Sequence, residues 1–359
     1  MKATKTEDSI LQEMLDEVSN TYQKTEGFPT WDLLKAAALG IKKLWDKAFK
    51  VEELLDVDNL EGTDLERFVY QRKGLTRKEA TFAKGYVLIV TGEGTINEGD
   101  LFSTSGNIQF MATETKQVSA GSFVAIQAVL SGISGNVAAE TINEMPVTLT
   151  GIAKIVNPEA MEGGYDAETD DSLRKRYYEI LREPATSGNI YHYKQWAKEI
   201  SGVGEAKVFP LWQGDNTVQV IIVDSEGLVP GQDLINQVQE YIDPDQGGTG
   251  EGTAPIGAYC TITAATPLNI TVRADIILRG AAELETVRQA IAVNVAAYLK
   301  EIAFKSNWVS VGKIGDVLIN TEGVEDYNNL SVNGGSVRVA IPEKSVAVLS
   351  EVVVNDITE

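Results

Sequence analysis

One histidine, His192, and one cysteine, Cys260, are all that this chain of 359 residues offers of the side chains that most often carry proton, nucleophile and metal chemistry. A single thiol excludes an intramolecular disulfide, and a lone imidazole excludes the paired His and Cys spacings of a zinc site. Cys260 lies among apolar and threonine residues, which points to a small buried hydrophobe. His192 stands between Tyr191 and Tyr193 on an expected helix, with no second His and no thiol to complete a triad, so a polar or packed position is expected of it. Long apolar runs are missing too. Stretches such as 87–90 and 276–278 fall far short of the roughly 20 residues that cross a bilayer, so no membrane insertion is expected. Positive charge is scarce: 31 Lys and Arg against 52 Asp and Glu leave a net charge of -21, which argues against nucleic acid as a partner. The opening stretch is acidic and amphipathic and carries no apolar signal core, so a cytoplasmic chain is expected.

What is present describes a globular protein of several domains. Apolar residues make up 43% and charged residues 23%, near the averages for folded soluble domains, and the length suggests two to four cores. The fold class expected is α+β and multi-domain.

Residues 1–80 have helical periodicity and no β pattern. Ile10, Leu11, Met14, Leu15, Val18 and Tyr22 form one apolar stripe, which Gly27 and Pro29 are expected to end. Thr30 is a candidate N-cap for a second helix, with Trp31, Leu34, Ala38, Ile41, Trp45 and Ala48 on one side. A third is expected to open on Thr63 and Glu66 at capping-box spacing and to bury Leu65, Phe68 and Val69. Such helices need a partner surface, either in a bundle of their own or with helices from another chain.

Residues 81–157 switch to period-two runs broken by glycines, the pattern of a compact antiparallel β-domain. Residues 158–202 read as a helical linker: an acidic helix start at Thr169, Asp170 and Asp171, a close at Pro184, and a second helix over 189–200. Residues 203–280 and 281–359 read as two small α/β units, sharing a sheet or stacked in tandem. Strands are expected at 206–210, 218–223, 259–264 and 268–278, and helices at 231–242, 284–302 and 311–321, with strand-rich sequence to the end.

Three places invite a chemical reading. Asp166, Glu168, Asp170 and Asp171 resemble the start of a calcium loop, but Asp171 stands where that loop needs Gly and Tyr177 where it needs Glu. A capped helix N-terminus accounts for the same acids. The glycine-rich stretch 245–255 lacks the Lys-Ser/Thr ending of a phosphate cradle and carries acids, so a mobile loop is expected. Two carboxylates would suffice for a glycosidase, yet in so acidic a chain a pair is uninformative, and the aromatics, 7% of the chain, form no dense cluster. No catalytic residue, cofactor or metal site is assigned.

The segment order LEGTDLERFVYQRKGLTRKEATFAKGYVLIVTGEGTINEGDLFSTSGNIQFMAT, SGNVAAETI, GIAKIVNPEAMEGGYDAETDDSLRKRY, and LVPGQDLINQVQEYI followed by TPLNITVRADIIL resembles the baseplate J-like proteins. These are wedge subunits of contractile phage tails and phage-tail-like bacteriocins, and the resemblance runs from Leu60 to Leu278. It implies a non-enzymatic structural subunit that assembles with a second copy of itself and a different wedge protein, in a ring contacting the tail hub and sheath-initiating proteins. Carried onto this chain, Ile10, Leu11, Met14, Leu15, Trp31, Leu34, Ile41 and Trp45 would be helix-bundle contacts, and the region from Val203 onward would link wedges. In the matching motifs, Gly135 and Asn136 suit a positive-φ turn, Asn157-Pro158 an extended exit, and Gly163-Gly164 a sharp redirection. The competing expectation is a carbohydrate-active or host-receptor-binding tail protein.

Overall fold

The computed structural model describes residues 5–183, 185–280 and 282–357; Pro184, expected to close a helix, lies outside the described residues. The chain divides into two compact units, Met1–Arg77 with Thr169–Glu179, and Lys78–Glu168 with Ile180–Glu359.

The first unit is helical. Helix α1 (Glu7–Glu17) opens where the Thr6 hydroxyl accepts the Ser9 N–H at 3.2 Å, and ends at Val18, which is already extended. Helix α2 (Pro29–Glu53) begins on its proline, whose missing N–H costs nothing at the first helical position. Pro29 therefore starts this helix instead of ending the previous stretch, and Thr30 lies inside it. Tyr22 falls outside α1 and is exposed. Helix α3 (Gly62–Lys73) starts after Glu61 without a side-chain cap, so Thr63 and Glu66 form no capping box. Leu65 and Val69 are buried as expected, and Phe68 is half-buried. Gly74 ends the helix at φ 68°, a left-handed position where only glycine is free of strain, and its N–H bonds Tyr70 O at 2.8 Å.

Helix α4 (Asp170–Arg182) completes this unit through residue 179. The Thr169 hydroxyl accepts the Ser172 N–H at 3.2 Å, the cap that the sequence suggested. Arg174 donates to the carbonyls of Val57 at 3.0 Å and Leu60 at 2.8 Å, Arg176 donates to Thr76 O at 2.6 Å, and Tyr177 meets Phe68 edge-on at 5.9 Å. The stretch expected to be a linker thus puts its first helix into the helical unit.

The second unit begins with the antiparallel β-domain: β1 (Lys84–Ile96), β2 (Leu101–Thr104), β3 (Gln109–Ala112), β4 (Lys116–Ser119), β5 (Phe123–Ala128), β6 (Ile142–Glu144) and β7 (Ile152–Val156). The strand order is β4-β1-β5-β3-β2-β6, with β7 also paired to β1. Long β1 serves β5 with its first half and β4 with its second, and bulges against β7 around Thr91 and Gly92 curl the sheet. Alternation sends Val87 and Ile89 into the enclosed core with Phe102 and Phe110, and beyond the bulges, which change the phase, Ile96 joins them.

Next, β8 (Val203–Pro210), β9 (Thr217–Asp224) and β10 (Tyr259–Ala264) form a sheet in the order β10-β9-β8, with β9 and β10 parallel. Helices α5 (Ile190–Glu199) and α6 (Gln232–Ile242) cover one face over Val220 and Ile222. The other face, through Ile221 and Val223, packs on Ala265, which joins β10 to the next strand, and on Ala303 and Val346 of the last domain. Burial on both faces is why β9 reads as an unbroken apolar run.

The last domain has β11 (Thr266–Leu278), α7 (Leu284–Ile302), β12 (Trp308–Val309), α8 (Val311–Ile319), β13 (Val324–Val332), β14 (Val339–Ala340) and β15 (Ser345–Asp356). Its main sheet runs β13-β11-β15, with β15 parallel to β11 and both helices on one face. The two α/β units are tandem sheets and not one shared sheet. Strand β11, grouped by sequence with the residues before it, hydrogen-bonds entirely within the later sheet, because its partners come from the C-terminal end of the chain.

Candidate interaction surfaces

The residues expected to meet other helices lie mostly inside this chain's own hairpin. Ile10, Leu11 and Leu15 are buried against Ala38, and Met14, Trp31, Leu34 and Ile41 pack around them. They are brought together because α1 presents Ile10, Leu11, Met14 and Leu15 on one face and α2 answers at matching spacing. Trp45 is not among them: it stands one turn beyond the end of this core and is 47% exposed. Sequence reading missed a second apolar row on α2, in which Leu33, Leu44 and Val51 are all exposed. Its signal was present as a spacing of 11 and 7 residues, hidden because the stripe through Trp31 and Ile41 had already satisfied the search for one face.

The acids that resembled a metal loop disperse to separate partners. Asp166 accepts the Ile133 N–H at 3.0 Å and Glu168 the Lys78 N–H at 3.1 Å. Asp171 pairs with Arg174 at 2.7 Å. Asp170 accepts the Gly62 N–H at 2.9 Å and meets Arg77, which also reaches Glu66 at 2.5 Å. The Gly62 N–H, then the Arg77 guanidinium, hold the Asp170 carboxyl below the usual aspartate range. Four carboxylates aimed at five different donors make capping and bracing contacts, not a coordination shell.

The other chemical candidates resolve similarly. His192 stacks on Trp196 with ring centroids 4.0 Å apart, and its Nδ1 accepts the Gly188 N–H at 3.2 Å, which fixes the turn that leads into α5. Cys260 is fully buried on β10, and burial, with Asp243 nearby, pushes its thiol up to about 12. The glycine-rich stretch is tied down rather than loose: buried Asp243 accepts the N–H groups of Gly248 and Cys260 at 2.9 and 2.8 Å, and Ala254 N–H bonds Ile242 O at 2.8 Å. A cavity of about 300 Å³ on the β-domain is lined by residues such as Ile108, Gln109, Val129, Leu130 and Ser134, with no carboxylate among the described residues that line it. It lacks the carboxylate pair that glycoside hydrolysis requires. Among the described residues no group of three or more His, Cys, Asp or Glu side chains is placed to hold a metal, and no helix is long and apolar enough to cross a membrane.

The motif residues have structural tasks that differ in part from those expected. Gly135 and Asn136 do not occupy a positive-φ turn; Gly132, at φ 117°, does. Gly135 is needed because a Cβ there would lie 2.8 Å from Ala128 Cβ and 2.9 Å from Ala83 Cβ. Asn157 is a fully buried hub, donating to the carbonyls of Ala138 and Glu159 at 2.9 and 2.8 Å and accepting the Ile142 N–H at 2.7 Å. Gly163 does redirect the chain, at φ 82°.

These domains match known ones in order. Residues 86–164 match the baseplate J-like protein barrel domain, 185–264 the baseplate J-like central domain, and 268–355 the baseplate J-like protein C-terminal domain. The uncharacterized protein YqbT of Bacillus subtilis (strain 168) is 32% identical over 97% of both chains. The phage-like element PBSX protein XkdT of the same organism is 31% identical over 96% of both. Baseplate protein gp47 of Escherichia phage Mu is 28% identical over 47% of this chain and 49% of its own. With the barrel, central and C-terminal domains in sequence and full-length relatives on either side of them, the chain belongs to the baseplate J-like family of structural proteins of phage and phage-tail-like baseplates.

Proposed function

We propose that this protein is a wedge subunit of a contractile-tail baseplate, assembling with a second copy of itself and a different wedge protein into a ring around the tail hub. The reading is carried by the succession of three baseplate J-like domains behind a helical hairpin that leaves large apolar side chains in solvent. Residues 1–80 would serve helix association, 81–157 the barrel body, 158–202 the connection, and 203–280 with 281–359 the contacts between wedges. Its work is non-enzymatic: titratable side chains such as Asp170, Glu205 and Asp243 are engaged in bracing the fold. Assembly takes place in the cytoplasm, before the particle is complete.

Co-expression with the products of neighbouring genes, followed by mass measurement of the purified complex, tests this. The expected product holds more than one copy of this chain per copy of a different subunit. A monodisperse monomer that ignores every co-expressed baseplate protein would overturn the reading.

A further inference from the structure

The outer edge of β10 is supplied with partners by side chains, where in most sheets another strand would supply them. Tyr259 N–H bonds Asn216 O at 2.8 Å and Ala265 N–H bonds Ile222 O at 3.1 Å, so the odd-numbered residues of β10 face β9, and Cys260 and Ile262 turn their N–H and C=O groups outward. Gln239 of α6 meets both: its Oε1 accepts the Ile262 N–H at 2.9 Å and its Nε2 donates to Cys260 O at 2.9 Å. Asp243 Oδ2 accepts the remaining Cys260 N–H at 2.8 Å. One carboxamide thus lays an acceptor and a donor along the edge as the peptide group of a neighbouring strand would. It is held there by a second donation, to Asp243 O at 2.6 Å, while the Asp243 N–H bonds Gln239 O at 2.9 Å.

The opposite edge, β8, is closed by different means. Leu211 N–H bonds Thr217 O at 2.7 Å, which sets the phase of the antiparallel ladder, so Ala206, Val208 and Pro210 face away from β9. The Ala206 N–H is taken by Glu205 Oε1 at 3.2 Å, and Pro210 has no N–H. Two of the three outward positions therefore offer no donor to an incoming strand. Pro210 is exposed, so core packing does not demand its ring, and an outward-facing edge position is where proline costs a sheet nothing.

We propose that Gln239 with Asp243 on one side, and Glu205 with Pro210 on the other, close both edges of the β10-β9-β8 sheet to strand addition, so that copies of this chain held side by side do not join through it. Unpaired edges are templates for strands of other chains, and side-chain caps and proline remove the template without altering the sheet's interior. The inference stands on these bonds and holds whatever assembly the chain enters. It leaves the central domain to meet its neighbours through side chains and not through main-chain pairing. The competing account is that Gln239 only fastens α6 to the sheet.

The test is sedimentation velocity of the full chain over a concentration series, with circular dichroism to establish folding. Gln239→Leu strips the β10 edge of its carboxamide. Gln239→Glu loses the donations but keeps an acceptor for the Ile262 N–H and sets a charge on the edge. Pro210→Val restores an outward N–H on β8. Gln239→Leu and Pro210→Val should each self-associate at a concentration about tenfold lower than the unaltered chain, the shift that one or two hydrogen bonds supply. The two changes together open both edges and should give species larger than dimers. Gln239→Glu should sediment as the unaltered chain does, although its Tm falls as far as that of Gln239→Leu. A folded Gln239→Leu or Pro210→Val that sediments like the unaltered chain overturns the closure of its edge. Equal association by Gln239→Glu and Gln239→Leu overturns the proposal too, because association would then follow lost stability and not an open edge. Should Gln239→Leu fail to fold, Pro210→Val, on an exposed position, decides the matter.

Discussion

Asn136 and Gly164 exchange two hydrogen bonds: the side-chain Nδ2 donates to the Gly164 carbonyl at 2.8 Å, and the Gly164 N–H donates to Asn136 Oδ1 at 2.9 Å. A carboxamide is the one side-chain group of this length that can donate and accept in this way, which accounts for asparagine in the first motif and glycine in the second. A Cβ at Gly164 would lie 2.4 Å from Gly132 O. Asn136→Asp removes the donor and sets a carboxylate oxygen against the Gly164 carbonyl, and should cost about 1–3 kcal/mol in urea-induced unfolding. Asn136→Gln, whose longer arm misplaces the amide, should not restore the loss.

Gly151 sits at φ 85°, with the position of its missing Cβ 2.1 Å from Glu93 O, where β7 crosses onto the bulged part of β1. Gly151→Ala combines left-handed strain with a clash against backbone that cannot step aside, so a loss of at least about 2 kcal/mol is expected. The Tm of the purified chain checks this, and Gly99→Ala, at φ 90° with open space around it, should cost less.

Leu11 and Leu34 lie in the core between α1 and α2 of the same chain. Leu11→Asp with Leu34→Asp buries charge without a counter-ion and should open this hairpin while the β-domain and α/β domains stay folded. Hydrogen exchange resolved by residue should show protection lost over residues 7–53 and retained over 84–156 and 203–356. Uniform loss of protection would show instead that the hairpin is needed for the whole fold.

Glu205 is buried and faces Lys198 at 3.3 Å and Lys194 at 3.5 Å. Burial works against its carboxylate, but Lys198 and then Lys194 outweigh it and hold its pKa below the usual glutamate range. A depressed folded pKa gives stability that is present above the unfolded value of about 4.3 and lost as pH falls through the folded one. Glu205→Gln should flatten the dependence of unfolding free energy on pH below about 4.3. Lys198→Met should cost about 3 kcal/mol at pH 7, because a buried charge loses its nearer partner.

Cys260, with its thiol pushed up to about 12 by burial and then by Asp243, should resist alkylation in the native chain at pH 8. Mass spectrometry after brief iodoacetamide treatment should find one adduct in denaturant and none without it. Rapid native labelling would mean that β10 opens readily from its place beside β9.

The sequence by itself determined what depends on neighbours a few residues apart. Period-two alternation marked the β-domain, the 3.6-residue stripe marked α1, α2 and α7, and the run of acids after Thr169 marked a capped helix start. The order of domains was legible for the same reason: each has its own local pattern and its own core. Other features needed tertiary structure because they join residues far apart in the chain. The pairing of β11 with β15 spans some 80 residues and decided where one α/β domain gives way to the next. The contact of Asp170 with Gly62 and Arg77 drew part of an expected linker into the helical unit. The lengths of α1 and α2 are local facts, and periodicity showed both as apolar, but only their packing divided the apolar residues of α2 into those buried in the hairpin and those left exposed.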